Sequence, residues 1–253
     1  MDEKFNITLD REITIDDKIL IAGFPGVGLT GSIAANFIID SLKMEKIGYF
    51  LSDKLPPAAV VQEGIPSHPV RLYSKDHIMI MLSDFAIPVQ LSSIISNTLL
   101  NWKDKGQQFK LILTLEGIIT EQPSQENKEI RVFGVGSTEP ARKMLKEGNI
   151  ELLDHGWITG ASGLLLGEGN RLNIDVICLL ADANPMYPDA RSAAKLVETV
   201  DTLLPKIELD LKPLYEEAEK IKANITAKLQ KAKDMIAARQ PAADRMTKGY
   251  MYG

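Results

Sequence analysis

One cysteine, three histidines and two tryptophans in 253 residues leave several kinds of chemistry without material. Cys178 alone rules out a disulfide framework within one chain, and its setting, Ile177-Cys178-Leu179-Leu180, reads as that of a small buried residue. His68, His77 and His155 stand far apart and form no His-x-x-x-His or Cys/His ligand set, so no metal is expected. Positive charge is also short. The chain carries 29 Lys and Arg against 34 Asp and Glu, a net charge of -5 that draws it to neither nucleic acid nor anionic lipid. No apolar run reaches bilayer-spanning length, and Met1-Asp2-Glu3-Lys4 opens no signal peptide. A cytoplasmic location is the expectation.

What is present is ordinary globular material, 45% hydrophobic and 25% charged, enough for one large domain with an appendage. Apolar runs of strand length alternate with helical patterns. Residues 18–22, 47–51, 109–115, 130–135 and 173–180 read as strands, and 70–73 with 78–82 as a hairpin across Ser74-Lys75-Asp76-His77. Helices are expected over 29–43 and over 89–105, where Leu91, Ile95, Leu99 and Trp102 recur at helical spacing. Thr138 and Asp189 read as caps of two more, and Ser162 as the cap of a helix opening at Gly160-Ala161-Ser162-Gly163. The alternation predicts an α/β helix-sheet-helix sandwich, largely parallel, with some antiparallel pairing at the hairpin.

The stretch most suggestive of chemistry is Ala22-Gly23-Phe24-Pro25-Gly26-Val27-Gly28-Leu29-Thr30-Gly31. Gly26, Gly28 and Gly31 satisfy G-x-G-x-x-G between a strand and a helix, and Asp53 stands where a ribose-binding acid would. The strand already ends at Gly23, however, so Phe24-Pro25 displaces the glycines from the usual register, and Leu55-Pro56-Pro57 follows Asp53 where another βαβ unit should begin. No Lys-Ser or Lys-Thr completes a P-loop. Gly160-Ala161-Ser162-Gly163 lacks the spacing of a nucleophile elbow. Asp53, Glu63, Glu116 and Asp182 fall near strand ends, where lone carboxylates are usually turn and cap residues. No catalytic residue and no cofactor is therefore expected. The alternative is an enzyme holding a nucleotide or nucleoside at Gly23–Gly31.

After Pro205 the pattern changes, giving a core over residues 1–205, a connector with an amphipathic helix over 206–240, and a tail over 241–253. Leu214, Ala218, Ile221, Ile225, Leu229, Ala232 and Ile236 recur every 3 or 4 residues, an 11-residue repeat that keeps one apolar seam on a nearly straight helix. Through Gln240 such a helix would run about 42 Å. The seam fits either its own domain or an oligomer interface, and its narrowness favours the interface.

Four segments together resemble the archaeal branch of the proteasome assembly chaperone family: Gly23-Phe24-Pro25-Gly26-Val27-Gly28-Leu29; Asp53-Lys54-Leu55-Pro56-Pro57; Gly160 through Gly167; and Leu179-Leu180-Ala181-Asp182 with Tyr187-Pro188-Asp189. The resemblance implies a fold akin to nucleoside phosphorylases and hydrolases, used for binding. It also implies a homo-oligomer, tetramer or pentamer, whose partner is the α ring of the proteasome core particle. Docking members of the family end in hydrophobic-Tyr-X, as this chain does in Met251-Tyr252-Gly253. By composition such an ending arises by chance in about one chain in a hundred.

Overall fold

The computed structural model describes residues 6–52, 54–102, 108–119, 129–204, 207 and 209–216. Its strands are β1 (Asn6–Leu9), β2 (Ile19–Gly23), β3 (Glu45–Leu51), β4 (Val60–Gln62), β5 (Ile65–Ser67), β6 (Val70–Lys75), β7 (Ile78–Ser83), β8 (Leu111–Ile118), β9 (Val132–Gly136), β10 (Glu151–Leu152) and β11 (Val176–Asp182). Its helices are α1 (Thr30–Leu42), α2 (Val89–Leu100), α3 (Glu139–Glu147), α4 (Gly160–Leu172) and α5 (Ala190–Leu203).

Nine strands form one sheet in the order β1-β3-β6-β7-β2-β8-β11-β9-β10. The central four, β7, β2, β8 and β11, run parallel. Such strands are covered on both faces and so carry unbroken apolar runs, and every residue of β2, β7 and β11 is buried. Alternate side chains separate to two cores. Ile19 and Ile21 join α1, α3 and α5 on one face. Leu20 and Ala22 join α2 and α4 on the other. The expected hairpin is β6–β7, and antiparallel pairing also adds β3 and β1 beyond it and β9 beside β11.

Helix ends follow local chemistry. Thr138 accepts from the Ala141 N–H at 3.2 Å, with Pro140 in the first turn of α3, and Asp189 accepts from the Ser192 N–H at 3.1 Å to cap α5. The expected cap at Ser162 is corrected: Thr159 holds the N-cap position of α4 and Ser162 lies inside the first turn. Helix α2 ends at Leu100 rather than 105.

From β2 the chain passes to β3 on one side of the sheet, whereas from β8 it passes to β9 and β11 on the other. The carboxyl ends of β2 and β8 therefore flank a topological switch point, where doubly wound sheets open their ligand crevices. Past α5 the chain stays on the α1/α3/α5 core, burying Ile207 and Leu214, and turns helical again at residues 212–216.

Candidate functional site

At the switch point β2 ends on Gly23, and a short 3-10 turn, Val27–Leu29, leads into α1. Gly28 and Leu29 both take left-handed backbone, with φ of 61° and 52°. A Cβ on Gly28 would stand 3.0 Å from both the Asn184 carbonyl oxygen and Asp189 Cβ, and the Asp189 N–H donates to the Gly28 carbonyl at 2.7 Å. A Cβ on Gly31 would lie 2.0 Å from the Leu115 carbonyl oxygen. In a dinucleotide site the middle glycine, here Gly28, leaves backbone open to pyrophosphate. Here the β11–α5 loop packs on Gly28, which does not favour the cofactor reading of Gly26, Gly28 and Gly31. The close approach of Gly31 to β8 is helix–strand packing that either reading would require. Asp53, its fourth member, lies outside the described residues.

Gly26 meets a different neighbour. A Cβ there would come within 2.7 Å of Glu116 Oε2. Glu116 projects from β8, and its Oε1 accepts from Ser162 Oγ at 2.6 Å, tying strand to helix α4. Burial pushes the Glu116 carboxyl up to about 7, with the Ser162 hydrogen bond opposing that rise. Burial, then the Glu116 charge, also raise the Cys178 thiol, which disfavours a nucleophilic thiolate. The Ser162–Glu116 tie was not legible in the sequence, where the two are 46 positions apart. The signal available was a serine inside a run of small residues, which permits close packing on a strand.

The remaining carboxylates resolve into structural roles. Glu63, with φ of 51°, forms the turn of the β4–β5 hairpin with Gly64. Asp182 Oδ2 accepts from Arg131 Nε at 3.1 Å. Asp189 caps α5 and also accepts from the Asn184 N–H at 2.9 Å. Among the described residues no group of three or more His, Cys, Asp or Glu is placed to hold a metal. Among them, too, no helix is long and apolar enough to cross a membrane.

Exposed apolar side chains crowd the same end of the molecule. Val89 opens α2 after β7, Trp157 precedes α4, and Met186 follows β11; they are 83%, 95% and 86% exposed. Leu29 and Ile119, at the ends of the glycine turn and of β8, are exposed beside them in the fold order. Sequence reading missed these exposures because the five are far apart in the chain, and periodicity assigns Leu29 and Val89 simply to the starts of helices.

Of the expected interface residues, Leu214 is only 1% exposed and packs in the protein's own core. Ala218, Ile221, Ile225, Leu229, Ala232 and Ile236 lie outside the described residues, as do Met251, Tyr252 and Gly253.

The class this defines is an α/β protein with a mixed sheet. Four of its eight strand pairs are parallel and four antiparallel, so the largely parallel sheet expected from the sequence is confined to the central strands, whose switch point is packed by its own glycine turn. The chain belongs to the PAC2 family, which matches residues 20–229. It is 32% identical over 211 residues to the Methanocaldococcus jannaschii protein MJ0106, covering 83% of this chain and 84% of that one. Its structure is similar to that of Pyrococcus furiosus PbaA, described as an archaeal homolog of proteasome-assembly chaperone. The TM-score is 0.80 at 31% identity, over 97% of this chain and 99% of that one. Pyrococcus furiosus PbaB, described as an archaeal proteasome activator, shares the fold with a TM-score of 0.76 at 24% identity, over 91% and 100%.

Proposed function

We propose that the protein is a cytoplasmic, homo-oligomeric assembly factor that binds the α ring of the proteasome core particle and catalyses no reaction. The observation that carries this reading is the likeness to PbaA over nearly the full length of both chains. The glycine turn agrees with it, since a Cβ on Gly28 would meet Asn184 and Asp189 of the protein itself.

Docking is assigned to Met251-Tyr252-Gly253. A free carboxylate suits capture by a lysine or by backbone N–H groups, and the adjacent phenol adds apolar area and one hydroxyl. Tyr252 is the anchor, Met251 fills a neighbouring apolar groove, and the Gly253 carboxylate meets a basic group between α subunits. Residues 241–253 reach at most about 45 Å when extended. Three residues bind weakly alone, but several tails on one oligomer raise avidity by about 10²–10⁴ when ring spacing and reach agree.

The deciding experiment is co-elution of core particles with the full chain and with a chain lacking the last three residues. The full chain is expected to bind, and both the truncation and Tyr252→Ala to lose binding with fold and oligomer intact. Undiminished co-elution of the truncated chain rules out the tail.

A further inference from the structure

Away from the switch point, Arg71 of β6 is 98% buried yet incompletely satisfied. Its Nε donates to Tyr73 Oη at 2.9 Å, and its Nη1 donates to the His68 carbonyl at 2.9 Å and meets Asp84 Oδ2 at 2.7 Å. Those contacts use three of the five guanidinium donors. Nη2 has no hydrogen-bond partner among the described residues, and it is not among the fully enclosed unpartnered atoms.

Arg71 lines a cleft of about 450 Å³, between the β3–β6 pair and the base of the β4–β5 hairpin. Tyr49, directly across from Arg71 on β3, stacks on His68 with centroids 4.0 Å apart. Ala58, Ala59 and Pro66 supply apolar wall, and the exposed Lys46 also lines the cleft. The run Lys54-Leu55-Pro56-Pro57, which the function described above leaves unused, feeds straight into Ala58 and Ala59.

We propose that this cleft binds a monocarboxylate carried on an apolar or aromatic body, with Arg71 Nη2 donating to the carboxylate and Lys46 adding charge. The volume is in the range of small-molecule sites, about 300–1,000 Å³, and such sites pair an apolar lining with few polar groups. Asp84 already neutralises one unit of charge beside Arg71, so the cleft suits one negative charge better than the two of a phosphate. A guanidinium held in place by three contacts, with one nitrogen left facing an open cleft, is a preorganised donor for an oxyanion. The same carboxylate could be a free organic acid or the end of a peptide chain.

The test uses the full chain and four probes by titration calorimetry: 4-phenylbutyrate, its primary amide, and the peptide acetyl-Ala-Ala-Phe with a free or an amidated end. At least one acid is expected to bind about ten-fold more tightly than its amide, and the tighter acid identifies the source. Ala59→Trp, which fills the cleft from an exposed position, is expected to abolish binding without lowering Tm, and Lys46→Gln to weaken it several-fold. Arg71→Met should remove the acid-over-amide preference; if that variant does not fold, the other two decide. Absence of binding by all four probes, equal affinity for acid and amide in both pairs, or acid binding undiminished in Ala59→Trp overturns the proposal. Core-particle co-elution of Ala59→Trp is expected to be unchanged, which separates this site from the docking tail.

Discussion

Glu116 keeps its proton near neutrality because it faces a strand, a helix turn and a glycine instead of water. Its folded pKa of about 7 lies above the ordinary value of 4.5, so the folded state binds the proton more tightly than the unfolded chain. The stability this contributes is complete below the unfolded pKa and is lost as pH rises through 7. The full shift is on the order of 3 kcal/mol. Glu116→Gln is therefore expected to change stability little at pH 5 and to raise it at pH 8.5, read as urea midpoints of both proteins at both values. An equal shift at the two pH values contradicts the assignment. Gly31 makes a second prediction at this scale. A methyl group directed at the Leu115 carbonyl has only rigid backbone to displace, so Gly31→Ala should cost about 2–4 kcal/mol by urea unfolding.

At the scale of elements, the strands were readable because a strand buried on both faces must be apolar throughout, as Ile78–Leu82 and residues 176–181 are. The strand expected from Asn173 begins only at Val176, because Asn173 caps the end of α4. Caps were readable where a side chain alone determines them, at Thr138 and Asp189. Ser162 was misread because Thr159 and Ser162 can both cap, and Gly160-Ala161 gives no apolar period to choose between them. The β4–β5 hairpin escaped notice for a related reason: strands of three residues, one of them containing proline, carry no usable alternation. The glycine spacing gave the motif but not its use, because a fingerprint tells that backbone is approached closely, not whether ligand or protein approaches. Asp189 now holds both sides of that approach, through its backbone N–H to Gly28 and its carboxylate to the N–H groups of Asn184 and Ser192. Asp189→Ala should thus cost more than the roughly 1 kcal/mol of an ordinary cap, and amide exchange should quicken in the Val27–Leu29 turn as well as in the first turn of α5.

For the whole molecule, the question is which apolar surface other chains cover. Leu214 at the head of the seam is spent within the core, so an oligomer contact would rest on the later members. Ile221→Asp or Ile225→Asp is expected to lower the mass measured by light scattering, and an unchanged mass would assign the whole seam to packing within one chain. Trp157, 95% exposed, offers an independent report. Its fluorescence is expected to be quenched readily by acrylamide in the free protein, and quenching left unchanged on addition of core particles would show that Trp157 stays outside any contact with them. No pattern of sequence locates that group of exposed side chains, since it exists only after five separate segments are brought to one end of the sheet.

The nine-stranded sheet terminates on one side in the four residues of β1 and on the other in the two of β10. Among the described residues these margins offer few unpaired main-chain donors and acceptors, too few to template another strand in register. Growth into fibrils by edge addition is thereby disfavoured, so crowding of the folded protein leaves the sheet margins inert.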